Sequence, residues 1–170
     1  MGSPGAIEGR LRRWLKDCRK VVVVGIGNEL RRDDFVGVKI VRGLKGRVPK
    51  HVMLVESETV PESFIEPIVS FSPTHILMID AGLLGLEPGE ARFVESFKVW
   101  QESTVPISTH ALPLRIFCEY VAKETGAEVA LLIIQPGRTD FGEWLTVKAK
   151  RAAHELICIL PKILQETSPR

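Results

Sequence analysis

The sequence holds only three cysteines, Cys18, Cys118 and Cys158. They are odd in number, widely spaced and never arranged C-x-x-C. That argues against a disulfide framework or a structural zinc site and for a reducing compartment. Asparagine is scarcer still: Asn28 is the only one, beside three glutamines, in a chain that is 26% charged. Depletion of thermolabile amides among many charges is a thermophile tendency. Neither sign of charge dominates. Lys plus Arg is 23 and Asp plus Glu is 21, a net charge of +2, too balanced for a protein held to nucleic acid by net charge. No run approaches the ~20 apolar residues of a membrane helix, and the N-terminal stretch has no signal-peptide pattern. The expectation is a soluble, cytoplasmic protein with no membrane partner. Its 170 residues suit one domain around one core, spanning 1–170 with an N-terminal helix in 1–19 and a mobile polar tail over 165–170.

Against those absences stands a regular alternation. Ile7, Leu11, Trp14, Leu15 and Cys18 recur at helical spacing. Val21 to Val24 is an unbroken β-branched run, the signature of a strand buried on both faces of a parallel sheet. Val36, Ile40, Val41 and Leu44 again follow a helical period. His51 to Val55 reads as strand, and Pro61 to Phe71 as a helix shortened or kinked by Pro67. His75 to Ile79 is a second buried strand ending in Asp80. Pro88-Gly89 turns into a short strand around Ala91 to Val94, close enough to be its hairpin partner. Leu112 to Thr125 reads as helix, Val129 to Ile134 as strand and Leu145 to Leu164 as a closing helix. The pattern is that of an α/β layered sheet with one antiparallel edge.

In such sheets ligands bind beyond the carboxyl ends of the strands, where neighbouring connections diverge. Three polar residues belong there: Asp34 after the first strand, Asp80 at the end of the second buried strand, and His110 in the loop opening the Leu112 helix. Two carboxylates and an imidazole suit a divalent transition ion. Each has a plainer reading. Asp33 or Asp34 stands where a helix N-cap belongs, and His110 alone suits a loop or a cap. His51, His75 and His154 read as structural or surface residues. A buried carboxylate such as Asp80 needs partners to be tolerated, which favours function.

Nucleophilic chemistry has little support. G-x-S-x-G and H-E-x-x-H are absent, and Ser57, Ser63, Ser70 and Ser108 have no recognisable base nearby in sequence. Cys118 and Cys158 lie in apolar helical patterns, and Cys18 sits on the first helix beside Arg19 and Lys20, which lower a thiol pKa. Gly25-Ile26-Gly27 after the valine strand, with Glu56 after the next, resembles the start of a dinucleotide fingerprint. Its third glycine is missing, since position 30 is Leu, and the acids at 33 and 34 would repel a pyrophosphate.

The stretch from Gly27 to Gly37, GNELRRDDFVG, resembles the G-N-x-L-x-x-D-[DE]-G-x-G signature of the hydrogenase maturation endopeptidases, with Phe35 in place of a glycine. Ile79-Asp80-Ala81 resembles the family's second acidic block, and Pro88-Gly89-Glu90 the turn after it. Ser108-Thr109-His110 with Pro113-Leu114 resembles its histidine block, and Ile134-Gln135-Pro136 the formate-hydrogenlyase-type branch. The resemblance spans about Val21 to Leu164. It implies a three-layer α/β/α domain with a mixed, mostly parallel five-stranded sheet of the phosphorylase/hydrolase-like kind. It also implies removal of a C-terminal peptide from the precursor of a [NiFe]-hydrogenase large subunit. Asp34, Asp80 and His110 would then contact nickel delivered on the substrate, where the metal serves as recognition element and as Lewis acid or activator of water. Two other functions fit the same residues: a Rossmann-like nucleotide-binding protein, and a non-catalytic nickel or precursor chaperone.

Overall fold

Val21 to Val24 have no solvent exposure at all, because the strand they form lies inside a sheet covered on both faces. The computed structural model of the chain describes residue 2 and residues 4–98 and 110–167. Its strands are β1 (Val21–Ile26), β2 (Val52–Glu58), β3 (His75–Ala81), β4 (Ala91–Val94) and β5 (Glu128–Ile134). The principal helices are α1 (Glu8–Trp14), α2 (Val36–Leu44), α3 (Ile65–Phe71), α4 (Ala111–Thr125) and α5 (Val147–Glu166). The sheet order is β2-β1-β3-β5-β4, with β2, β1, β3 and β5 parallel and β4 antiparallel.

Period-two alternation splits the core in two. Val21, Val23, Leu77 and Ile79 pack with α1, α2 and α5; Val22, Val24, Ile76 and Met78 pack with α3 and α4. The result is the α/β sheet with one antiparallel edge that the alternation predicts, in the three-layer, mostly parallel form that the resemblance implies. α2 leaves β1 on one face and α4 leads into β5 on the other, so the connections diverge between β1 and β3. That is the switch point at which open α/β sheets bind ligands.

Glycine makes the junction there. A Cβ on Gly37, in the first turn of α2, would lie 2.1 Å from the carbonyl oxygen of Ile79 and 2.5 Å from that of Ile26. A Cβ on Gly25 would lie 2.5 Å from Gly37 O. The helix start therefore rests directly on the ends of β1 and β3.

Four features differ from the sequence reading. β4 is not the hairpin partner of β3: both edges of β3 are taken by parallel neighbours, so β4 pairs with β5, Ala91 opposite Ile134. The first helix ends at Trp14, and Cys18 lies beyond it, buried, where desolvation raises its thiol pKa despite the adjacent cations. Gln165 and Glu166 belong to α5, and Thr167 is buried with its hydroxyl 2.7 Å from His51 Nε2. Only 168–170 of the expected tail thus lie outside the described residues. Pro61–Phe64 is a 3-10 turn, and α3 begins at Ile65.

Gly37→Ala should destabilise the chain by about 1–3 kcal/mol or more, because the new methyl meets backbone rather than a yielding side chain. Urea unfolding measures it; an unchanged midpoint would show that α2 does not sit this close to the strands.

Candidate active site at the ends of β1 and β3

The loop leaving β1 turns back through a 3-10 turn, Arg32–Phe35, which carries Asp33 and Asp34. Neither acid caps a helix: the residue preceding α2 is Phe35, and no side chain caps either element. The two carboxylates instead point to different tasks.

Asp34 is almost wholly buried, and its Oδ2 accepts the Asn28 N–H at 3.0 Å. Asp80 is fully buried in β3, on the face that α4 covers, and its Oδ1 accepts the Ala81 N–H at 2.8 Å. His110 stands immediately before α4. Its Nδ1 lies 3.2 Å from Asp80 Oδ2, and its Nε2 lies 3.7 Å from Asp34 Oδ2. The three residues picked out from strand-end logic therefore converge in one crevice, with the imidazole clasped between two carboxylates. Ser108 and Thr109, the rest of the histidine block, lie outside the described residues.

Asp80 raises the His110 pKa above its usual value, first through its hydrogen bond and then through its charge. Asp34 adds to this, while burial and Arg31 oppose it. The ring meets the two carboxylates through different nitrogens. One cation touching both carboxylates and one nitrogen would therefore require the ring to turn. The two carboxylates favour the protonated, cationic ring over the neutral one.

The sequence marks Asp33 as a cap candidate and a motif residue but misses its role: it is completely buried. Its Oδ2 accepts the N–H groups of Gly137 and Arg138 at 2.8 and 3.1 Å and the Thr146 hydroxyl at 2.7 Å. Its Oδ1 accepts the Thr146 N–H at 2.7 Å. Four donors satisfy a charge that would otherwise be too costly to bury. Gln135 is the second omission. Its Oε1 accepts the Leu84 N–H at 2.7 Å, fixing the loop after Asp80. The rule that found Asp80, a polar residue directly after a buried strand, also points to Gln135.

The glycines of the dinucleotide-like stretch have another use. A Cβ on Gly27 would fall 2.0 Å from the Asp34 carbonyl oxygen, so the space a pyrophosphate needs is filled by the chain. The Asn28 amide is taken by Asp34, and Glu56 is paired with Arg42 and Lys45. The residues do not fit a dinucleotide. Ser57 is buried and its hydroxyl donates to Gly25 O at 3.1 Å, a structural role. His75 packs edge-on against Trp14, and burial lowers its pKa.

Two outcomes test this geometry. Asp33→Ala leaves three backbone N–H groups and a hydroxyl without their acceptor and should cost about 3 kcal/mol or more; a loss below about 1 kcal/mol in urea unfolding would contradict the role assigned to it. His110, with a raised folded-state pKa, contributes stability that is fully present below the ordinary value of 6.5 and is lost as pH rises through the higher folded value. His110→Ala should remove that part of the pH dependence. A ring titration by NMR at or below the ordinary value would contradict it.

Comparison with known proteins gives a consistent result. The HycI family model, described as hydrogenase maturation protease, matches residues 38–163. Asp80 and His110 fall inside that span, and Asp34 lies just before it. A Methanocaldococcus jannaschii protein assigned to the hydrogenase maturation proteases is 35% identical over 160 residues, covering 89% of this chain and 92% of that one. The hydrogenase 3 maturation protease of Escherichia coli is 28% identical over 131 residues, covering 77% and 82%. The crystal structure of a [NiFe] hydrogenase maturation protease, HycI from Thermococcus kodakarensis, superposes with a TM-score of 0.84 at 32% identity, covering 92% of this chain and 99% of that one. The chain belongs to the hydrogenase maturation protease family and is a peptidase.

Proposed function

We propose that the chain removes a C-terminal peptide from the nickel-loaded precursor of a [NiFe]-hydrogenase large subunit. Asp34, Asp80 and His110 would contact nickel that the substrate brings. The observation that carries this reading is the convergence of two buried carboxylates and one imidazole at the strand ends. The set is hard and borderline in character and has no thiolate of its own. Among the described residues all three cysteines are free, and none belongs to the crevice array. Soft ligands must therefore come with the metal, and nickel already held by substrate thiolates can be recognised by the oxygen and nitrogen donors here.

The chemistry follows from charge. The two carboxylates would attract a divalent cation into the crevice, and a cation bound there would send any proton on His110 to solvent. The freed imidazole then serves as a neutral donor. Nickel bound in this way can polarise the scissile carbonyl or lower the pKa of an attacking water, and either carboxylate, once released from His110, can take a proton from that water. The cytoplasm, where substrate thiols stay reduced, is the compartment this requires. No helix of the described residues is long and apolar enough to cross a membrane.

Incubation with nickel-loaded and nickel-free precursor, followed by mass measurement, tests the proposal. Only the loaded form should lose a peptide, and Asp80→Asn, Asp34→Asn and His110→Ala should each slow that loss by at least about 100-fold while remaining folded. Equal cleavage of both forms would overturn the role of nickel. Tight precursor binding without mass loss by the wild-type chain would favour a chaperone instead.

A further inference from the structure

The loop after β1 and the segment after β5 run side by side. Gly142 N–H donates to Leu30 O at 2.9 Å, and Arg32 N–H donates to Gly142 O at 3.0 Å. Between this pair and α2 lies a groove of about 670 Å³, within the range of ligand-binding clefts. Leu30, Phe35, Trp144 and Leu145 contribute its apolar lining. Asn28 also lines it, and the amide of Asn28 is the one bound to Asp34. The groove thus begins one hydrogen bond away from Asp34, beside the crevice that holds Asp34, Asp80 and His110.

Trp144 is the unusual member. It is 83% exposed, with Phe141 at 78% and Leu30 at 59% on the same pair of loops. Its backbone sits at φ +71°, and that of Arg32 at φ +45°, both in the left-handed region that non-glycine residues avoid. The surroundings enforce it. Thr146, two residues on, is pinned by its N–H and hydroxyl to Asp33. The Arg32 guanidinium lies over Gly142, where a Cβ would fall 2.5 Å from its Cζ. A large exposed aromatic on constrained backbone suits a binding anchor.

We propose that this groove docks the substrate polypeptide beside its scissile bond, with Trp144 and Leu30 gripping one large apolar side chain of the precursor. The inference rests on the processing reading above and deepens it. The Asn28–Asp34 hydrogen bond favours this occupant, because it places the groove next to the crevice, where a chain with its scissile bond at Asp34 can extend into it. A concave cleft also suits an inserted side chain better than the flat, self-complementary patch of a dimer.

The test uses the Asp80→Asn variant as a non-cleaving trap and a nickel-loaded large-subunit precursor, with the wild-type chain run in parallel. Adding Trp144→Ala to the trap should weaken precursor binding about tenfold, Leu30→Ser should weaken it similarly, and Trp144→Phe should restore most of the affinity. Because Trp144 is exposed, its melting midpoint should not move. Ile116→Ala, an exposed apolar residue on α4, should bind like the parent. Undiminished binding by both groove variants overturns the docking site while leaving the processing reading intact. Failure of the wild-type chain to shorten the precursor in the parallel control overturns the processing reading, and with it substrate docking in this groove. A dimer that Trp144→Ala dissociates, with precursor binding unchanged, assigns the groove to a second copy and overturns the proposal.

Discussion

The strand-end crevice depends on one buried carboxylate that takes no part in its chemistry. Asp33 joins the turn after β1 to Gly137 and Arg138 after β5 and to Thr146 at the start of α5. A charge in that position is tolerable only because four donors converge on it. The same four bonds remove the freedom of two loops that would otherwise move independently. With the 3-10 turn fixed by Asp33, the next residue, Asp34, has one direction in which to point. The outward set of Trp144 is fixed by the same tie.

The two adjacent aspartates therefore take different partners. Asp33 is saturated by neutral donors, whereas Asp34 and Asp80 share the imidazole of His110. The raised pKa of His110 has the same origin: the two carboxylates favour positive charge on the imidazole between them. The glycines at 25, 27 and 37 make this geometry accessible, because they let α2 start on the carbonyl ends of β1 and β3. What resembles half of a dinucleotide fingerprint is a packing device.

The parts legible in the sequence were those governed by local pattern. Val21 to Val24 identified a doubly buried strand, and the run ending in Asp80 identified another. The rule that ligands bind at strand ends located Asp34, Asp80 and His110, and the structure brings them within hydrogen-bonding or ion-pair reach. Nickel is an expectation that the resemblance of the motifs alone supplies. What stayed hidden was non-local. Asp33 meets partners 104 to 113 residues away, so its sequence neighbourhood suggests only a cap. β4 follows β3 closely but pairs with β5, because pairing depends on which edge is open and not on proximity in the chain. Trp144 lies in the left-handed backbone region, which periodicity does not report.

The central claim is that the three groups recognise nickel only when the substrate supplies the remaining ligands. Calorimetric titration of nickel into the free wild-type chain measures this directly. The closed Asp80–His110–Asp34 array predicts no saturable micromolar binding at neutral pH, and no difference between wild type and His110→Ala. Stoichiometric, tight binding abolished by His110→Ala would contradict the account, since the crevice would then be a metal site in its own right.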